Sequence, residues 1–293
     1  NLPVNANKAS GNNTLAVSGV GVAASGGSPS PTSKTLTAGR AIAGWNANIP
    51  AGQKRPVVVF MPGWGGSGAV NAGQTALNQK MVKEGYVTLA VGFDALSQWN
   101  SNLSEKVVEG LNKLCADVTI PANCAAIVLN GTSYGGSQTD KVIRYARNQG
   151  YSSASKRIIG FVSQDAGYVA PGNLTDPNTG AFTRTGLADA SQYSVAMIEN
   201  LADYTFPVDA CTWGNCGARH LARAHQAAGH NNTYSLCPNN LRNNNPALDA
   251  HGARDAAGQW DAWVISATKK IIHSNAGVPT FSGYSAPSVN VSN

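Results

Sequence analysis

The residues best suited to chemistry sit in the stretch "AIVLNGTSYGGSQ", residues 126–138. Ser133 stands between Gly131 and Gly135, where an apolar run stops and a polar, helix-like stretch begins. A hydroxyl presented on a tight strand-to-helix turn can attack an electrophilic carbon if a base removes its proton. The two glycines would clear room for strand and helix on either side of that turn. With 32 glycines in the chain, the G-x-S-x-G pattern by itself decides little, and the alternative is a serine that only caps the helix. A base must come from five histidines. His220 and His225 lie in the helix-like "ARHLARAHQAAG", with His230 just after it, and His273 ends the last helix, where a cation suits the dipole. His251, in "ALDAHGARDAAGQW", falls in a loop between the last strand and the last helix, from which it reaches the serine across a sheet edge. His251 is the favoured base and His230 the competitor.

The elements around these residues alternate. "KTLTAGRAIAGW" reads as early antiparallel strand. Buried strands are expected in "RPVVVFMPGW", "YVTLAVGFD", "CAAIVLN", "RIIGFVSQD", "YSVAMIEN" and, more weakly, "NTYSLC". Helical spacing recurs in "TALNQKMVKEGY", "SEKVVEGLNKLC", "SQTDKVIRYARNQG" and "DAAGQWDAWVISATKKIIH". Continuous apolar strands separated by helices predict an α/β fold, a mostly parallel sheet covered on both faces. The site is then expected at the carboxyl ends of the strands.

With Ser133 on its strand–helix turn and His251 beyond the last strand, the chain resembles the α/β-hydrolase family over roughly residues 34–273. Members often carry a strand, an acid, a short turn with Pro and a helix, and "MIENLADYTFPVD" matches that arrangement with one extra residue before Asp203. The resemblance implies Asp203 as the acid that orients the histidine, with Asp165 at the end of "FVSQD" and Asp209 as alternatives. It implies two oxyanion donors, the backbone N–H groups of Tyr134 and of Trp64 in "VVVFMPGWGGSG". The Pro62-Gly63-Trp64 turn is similar to the Pro-Gly-aromatic form of bacterial cutinases, while the Thr-Ser-Tyr elbow departs from them. The resemblance thus implies a serine hydrolase of carboxylic esters, with no metal or organic cofactor. Amide hydrolysis by the same groups, or a binding protein with a silent site, are the alternatives.

Composition bounds the rest. A chain of 293 residues with 42% hydrophobic residues can bury a full core, and no window approaches a membrane span. Charged residues make up 12%, against about 25% in a typical soluble protein, a balance that favours export. Cys115 and Cys124 close one short loop, Cys211 and Cys216 another, and Cys237 is left over. Such loops suit disulfides in an oxidising compartment, so a secreted protein is expected. The net charge of +6 is scattered, which argues against nucleic acid as a partner. An irregular or edge-strand segment is expected over 1–33, a catalytic domain over 34–274, a short polar lid near 166–193 and a tail over 275–293. The lid lacks the apolar residues of an interfacial cover. An open cleft with Trp64, Tyr134, Trp99 and Tyr168 as aromatic walls would suit short or polymeric esters, acted on by a monomer.

Overall fold

The computed structural model describes residues 30–38, 40–64, 72–97, 100–166, 168–169, 194–200, 203–206, 211–212, 215–220, 233–236, 251 and 259–273. Its centre is an eight-stranded sheet. The strands are β1 (Pro31–Thr37), β2 (Ala41–Asn46), β3 (Arg55–Met61), β4 (Val87–Val91), β7 (Ala122–Thr132), β8 (Ile158–Gln164), β10 (Ser194–Ile198) and β13 (Thr233–Leu236). Their spatial order is β1-β2-β4-β3-β7-β8-β10-β13. Only β2 opposes its neighbours; every pairing from β4 to β13 is parallel. β1 forms one edge of the sheet and begins at Pro31.

Alternation along each strand builds two apolar layers, because successive side chains face opposite ways. Val57, Val59 and Met61 of β3 pack with Leu89, Leu129 and Phe161 on one face, against α2 (Leu103–Ala116) and α4 (Thr139–Asn148). Val58 and Phe60 pack with Ala90, Val128 and Val162 on the other, against α1 (Ala72–Lys83) and α5 (Gln259–His273). Burial on both faces is why these strands read as unbroken apolar runs. α2 is joined to the start of β7 by the Cys115–Cys124 disulfide. No helix among the described residues is long and apolar enough to cross a membrane.

The connections locate the crevice. From β3 the chain runs through α1 to β4, towards one edge of the sheet. From β7 it runs through α4 to β8, towards the other edge. β3 and β7 are therefore adjacent strands whose exits diverge, a topological switch point where open α/β sheets bind ligands. Short pairings that periodicity did not predict lie elsewhere. β5 (Ala95–Ser97) pairs with β6 (Asn100–Ser101), and a small sheet joins β11 (Cys211–Thr212), β12 (Asn215–Cys216) and β9 (Tyr168–Val169). Two- and three-residue strands are too short to show a pattern.

Candidate active site

β7 ends at Thr132, and the chain turns at Ser133 with φ 51° and ψ −118° before the one-turn helix α3 (Tyr134–Ser137). A non-glycine residue there is strained by about 1–3 kcal/mol and persists only where its surroundings hold it. They do so on three sides. Ser133 N–H donates to the Gln164 carbonyl of β8 at 2.8 Å. Gly135 N–H donates to the Pro62 carbonyl at 3.0 Å. A Cβ on Gly131 would collide with the Gly135 carbonyl, and one on Gly135 would lie 2.5 Å from the Met61 oxygen. These two glycines thus let the helix start pack directly on β7 and on the end of β3. The helix then breaks. The Ser137 hydroxyl donates to the Tyr134 carbonyl beside the Gln138 N–H, and the Thr139 hydroxyl donates to the Gly136 carbonyl. The single helix expected after the elbow is therefore split into α3 and α4.

The Ser133 side chain makes no capping hydrogen bond. Its Oγ lies 2.8 Å from His251 Nε2 instead. On the far side of the ring, His251 Nδ1 is 2.9 Å from Asp203 Oδ2. The carboxylate requires a donor, so Nδ1 carries the proton and Nε2 presents its lone pair to the hydroxyl. Asp203 is buried, and its other oxygen accepts the N–H groups of Thr205 and Phe206, each at 2.9 Å. Three hydrogen bonds, counting that from His251, fix the orientation of this carboxylate. The buried Phe206 ring stacks on the imidazole, 5.7 Å between centroids at 28°. His251 keeps 23% of its side-chain surface exposed, enough for water to reach it.

Asp165 follows β8 just as Asp203 follows β10, yet its environment differs. It is fully buried at φ 49°, and its Oδ1 accepts the Asn200 backbone N–H at 3.3 Å and the Asn200 side-chain amide at 2.9 Å. Asn200 in turn accepts Asp203 N–H on its carbonyl. Asp165 thus braces the turn that carries Asp203.

The loop after β3 lies against the elbow. Gly63 sits close enough that an added Cβ would meet Ser133 Cβ at 3.3 Å. The Trp64 ring packs edge-on to Tyr134 at 4.6 Å, and Phe93 lies 5.4 Å from Tyr134. One expectation is corrected here. Tyr134 is 1% exposed, and its hydroxyl donates to Ser101 Oγ at 3.0 Å, so its ring is core and cannot wall an open cleft. Burial pushes its phenol pKa up, which keeps it a neutral donor. Trp64 is half-buried. Trp99, His230, Asp209, Cys237, most of the 166–193 segment and the 275–293 tail lie outside the described residues, as do the side chains of Tyr168, Cys211 and Cys216. The backbone sets Cys211 directly opposite Cys216 in an antiparallel ladder, with Cys216 opposite Tyr168.

Sequence reasoning missed Gln164 and Asn130. Both are polar residues that follow an apolar run near the end of a strand, and that break in pattern was the available signal.

No protein-family model matches the chain, and no curated protein matches it by sequence. Solved structures do match. Esterase B from Lactobacillus rhamnosis is 13% identical, with 82% of this chain and 86% of that chain covered at a TM-score of 0.52. Brefeldin A esterase, a bacterial homologue of human hormone sensitive lipase, is 12% identical, covering 86% and 80% at 0.54. A dienelactone hydrolase-like promiscuous phosphotriesterase from metagenomic libraries is 16% identical, covering 82% and 97% at 0.52. Identities this low carry architecture and not chemistry: the chain has the α/β-hydrolase fold.

Proposed function

We propose that this chain is a serine hydrolase that cleaves carboxylic esters through an acyl-enzyme. One observation carries the reading: Ser133 Oγ, His251 and Asp203 form a continuous hydrogen-bonded line, with links of 2.8 and 2.9 Å, on a strained elbow at the switch point of the sheet. The similar structures include esterases and a phosphotriesterase, so fold alone does not select the substrate, and the site has to.

In this reading His251 Nε2 takes the Ser133 proton as Oγ bonds to the carbonyl carbon. The carbonyl π electrons move to oxygen, and the backbone N–H groups of Trp64 and Tyr134 receive that oxyanion. Asp203 holds the ring in its tautomer and stabilises the imidazolium. Collapse of the tetrahedral species expels the alkoxide, which leaves as alcohol with the proton from His251. Water, deprotonated by the same nitrogen, then attacks the acyl-enzyme and releases the acid, and Ser133 recovers its proton. The Cys115–Cys124 bridge supports export to an oxidising compartment. The polar, lid-poor sequence of 166–193 favours short acyl or polymeric esters over long triglycerides.

The test is labelling by a fluorophosphonate, followed by hydrolysis of p-nitrophenyl esters from acetate to palmitate beside a polyester film and a peptide. Labelling at Ser133 with turnover of short esters is expected. Folded protein that resists the probe would make the chain a binding protein, and turnover of the peptide alone would make it an amidase. Ser133→Ala should lower ester turnover by several orders of magnitude without unfolding the protein.

A further inference from the structure

Beneath the elbow, on the α5 face of the sheet, a polar cluster interrupts the apolar layer. Gln164 closes β8 and is 2% exposed; Asn130 on β7 and Trp260 on α5 are each 1% exposed. The Trp260 indole N–H donates to Gln164 Oε1 at 2.8 Å, and Gln164 Nε2 donates to Asn130 Oδ1 at 2.5 Å. The Gln164 main chain is engaged as well. Its carbonyl receives Ser133 N–H, and the residue lies in register with Thr132 on one side and Ile198 on the other. One residue therefore holds both the backbone of the strained serine and the first turn of α5. Trp260 is nine positions beyond His251 in the chain, so a short covalent span ties the two.

The cluster is poorly explained as a device for stability. Asn130 Nδ2 is buried without a hydrogen-bond partner among the described residues, a cost that apolar side chains at these positions would avoid. Neighbouring positions on the same face, Val128 and Val162, are apolar. Polar groups that lose stability here need another reason to be present.

We propose that Gln164 is a positioning residue that couples the nucleophile to its base. Its carbonyl holds Ser133 in the elbow conformation, and its side-chain amide, through Trp260, holds the His251 loop at hydrogen-bonding distance from Oγ. Gln164 touches neither substrate nor reacting atoms. Apolar replacement frees α5 to settle by packing alone, and the Oγ–Nε2 distance is no longer held.

This role rests on the serine-hydrolase reading, and the experiment separates the two. Gln164→Met keeps length and volume while removing both amide contacts. Its phosphonylation rate with a fluorophosphonate is compared with wild type, together with kcat and KM on p-nitrophenyl butyrate and the melting temperature. Labelling rate and kcat should both fall by about 10- to 100-fold, the scale of an ångström-level misplacement, while KM changes little and the melting temperature holds or rises. Trp260→Phe, which removes only the indole end of the link, should shift labelling in the same direction by less. It decides the matter if Gln164→Met does not fold. Wild-type protein that resists the probe sinks the hydrolase reading and this one with it. Wild type that labels, beside variants that label at the same rate, sinks the coupling alone. So does a variant whose melting temperature drops while kcat stays at the wild-type value.

Discussion

At the residue scale, the two aspartates divide the work. Asp203 binds two backbone N–H groups with one oxygen and His251 with the other, whereas Asp165 Oδ1 accepts both N–H bonds from Asn200. Asp203→Asn preserves the turn but offers the imidazole an amide, which favours the wrong tautomer. Its kcat should fall by about 10⁴-fold. Asp165→Asn retains an acceptor for Asn200, and Asn tolerates φ 49° as well as Asp does. It should keep activity within tenfold, with its loss seen in thermal unfolding. Steady-state kinetics on both variants check this, and the opposite ranking moves the acid to Asp165. Ser133 and His251 could be picked from the sequence because a strand, a turn and a loop each mark their place. Asp203 was favoured over Asp165 only through the family pattern, since both follow a strand ahead of the same histidine.

At the scale of elements, the elbow works because β3, β7 and α3 approach more closely than side chains permit. Gly135→Ala sets a methyl group 2.5 Å from the Met61 oxygen, so the Pro62–Trp64 turn must retreat from Tyr134. Because both expected oxyanion donors lie on these two segments, kcat should fall by about 10²-fold or more with KM little changed. A kcat within threefold of wild type would show that the turn does not serve the oxyanion. Helix α2 offers a pH test. Lys106 and Lys113 hold the Glu109 carboxyl down to about 2 from 4.5. A depressed carboxyl stabilises the fold above its unfolded pKa and loses that contribution as pH falls through the folded one. Glu109→Gln should therefore cost less than about 1 kcal/mol near pH 7, as exposed pairs do, and the gap to wild type should close between pH 4.5 and 2. Urea unfolding at several pH values measures it; a gap that widens in acid refutes the assignment.

At the scale of the whole molecule, the Cys115–Cys124 bridge ties the end of α2 to the start of β7, closing a loop with a sequence separation of 9. Reducing it, or Cys115→Ser with Cys124→Ser, should lower stability by about 2–3 kcal/mol while leaving the folded site intact. Denaturant melts with and without reductant test this; identical midpoints would remove the bridge from the stability of the fold. The amino-acid order by itself pointed to the layered α/β architecture and to the strand, turn and helix around Ser133. Apolar runs, helical spacing and glycine placement are local signals, and burial of both sheet faces leaves them few other solutions. Only the tertiary structure decided that Asp203 meets His251, that Tyr134 is core and that Gln164 links the elbow to α5. Each of these depends on strands that are neighbours in the sheet and tens of residues apart in the chain, so no window of sequence contains the contact.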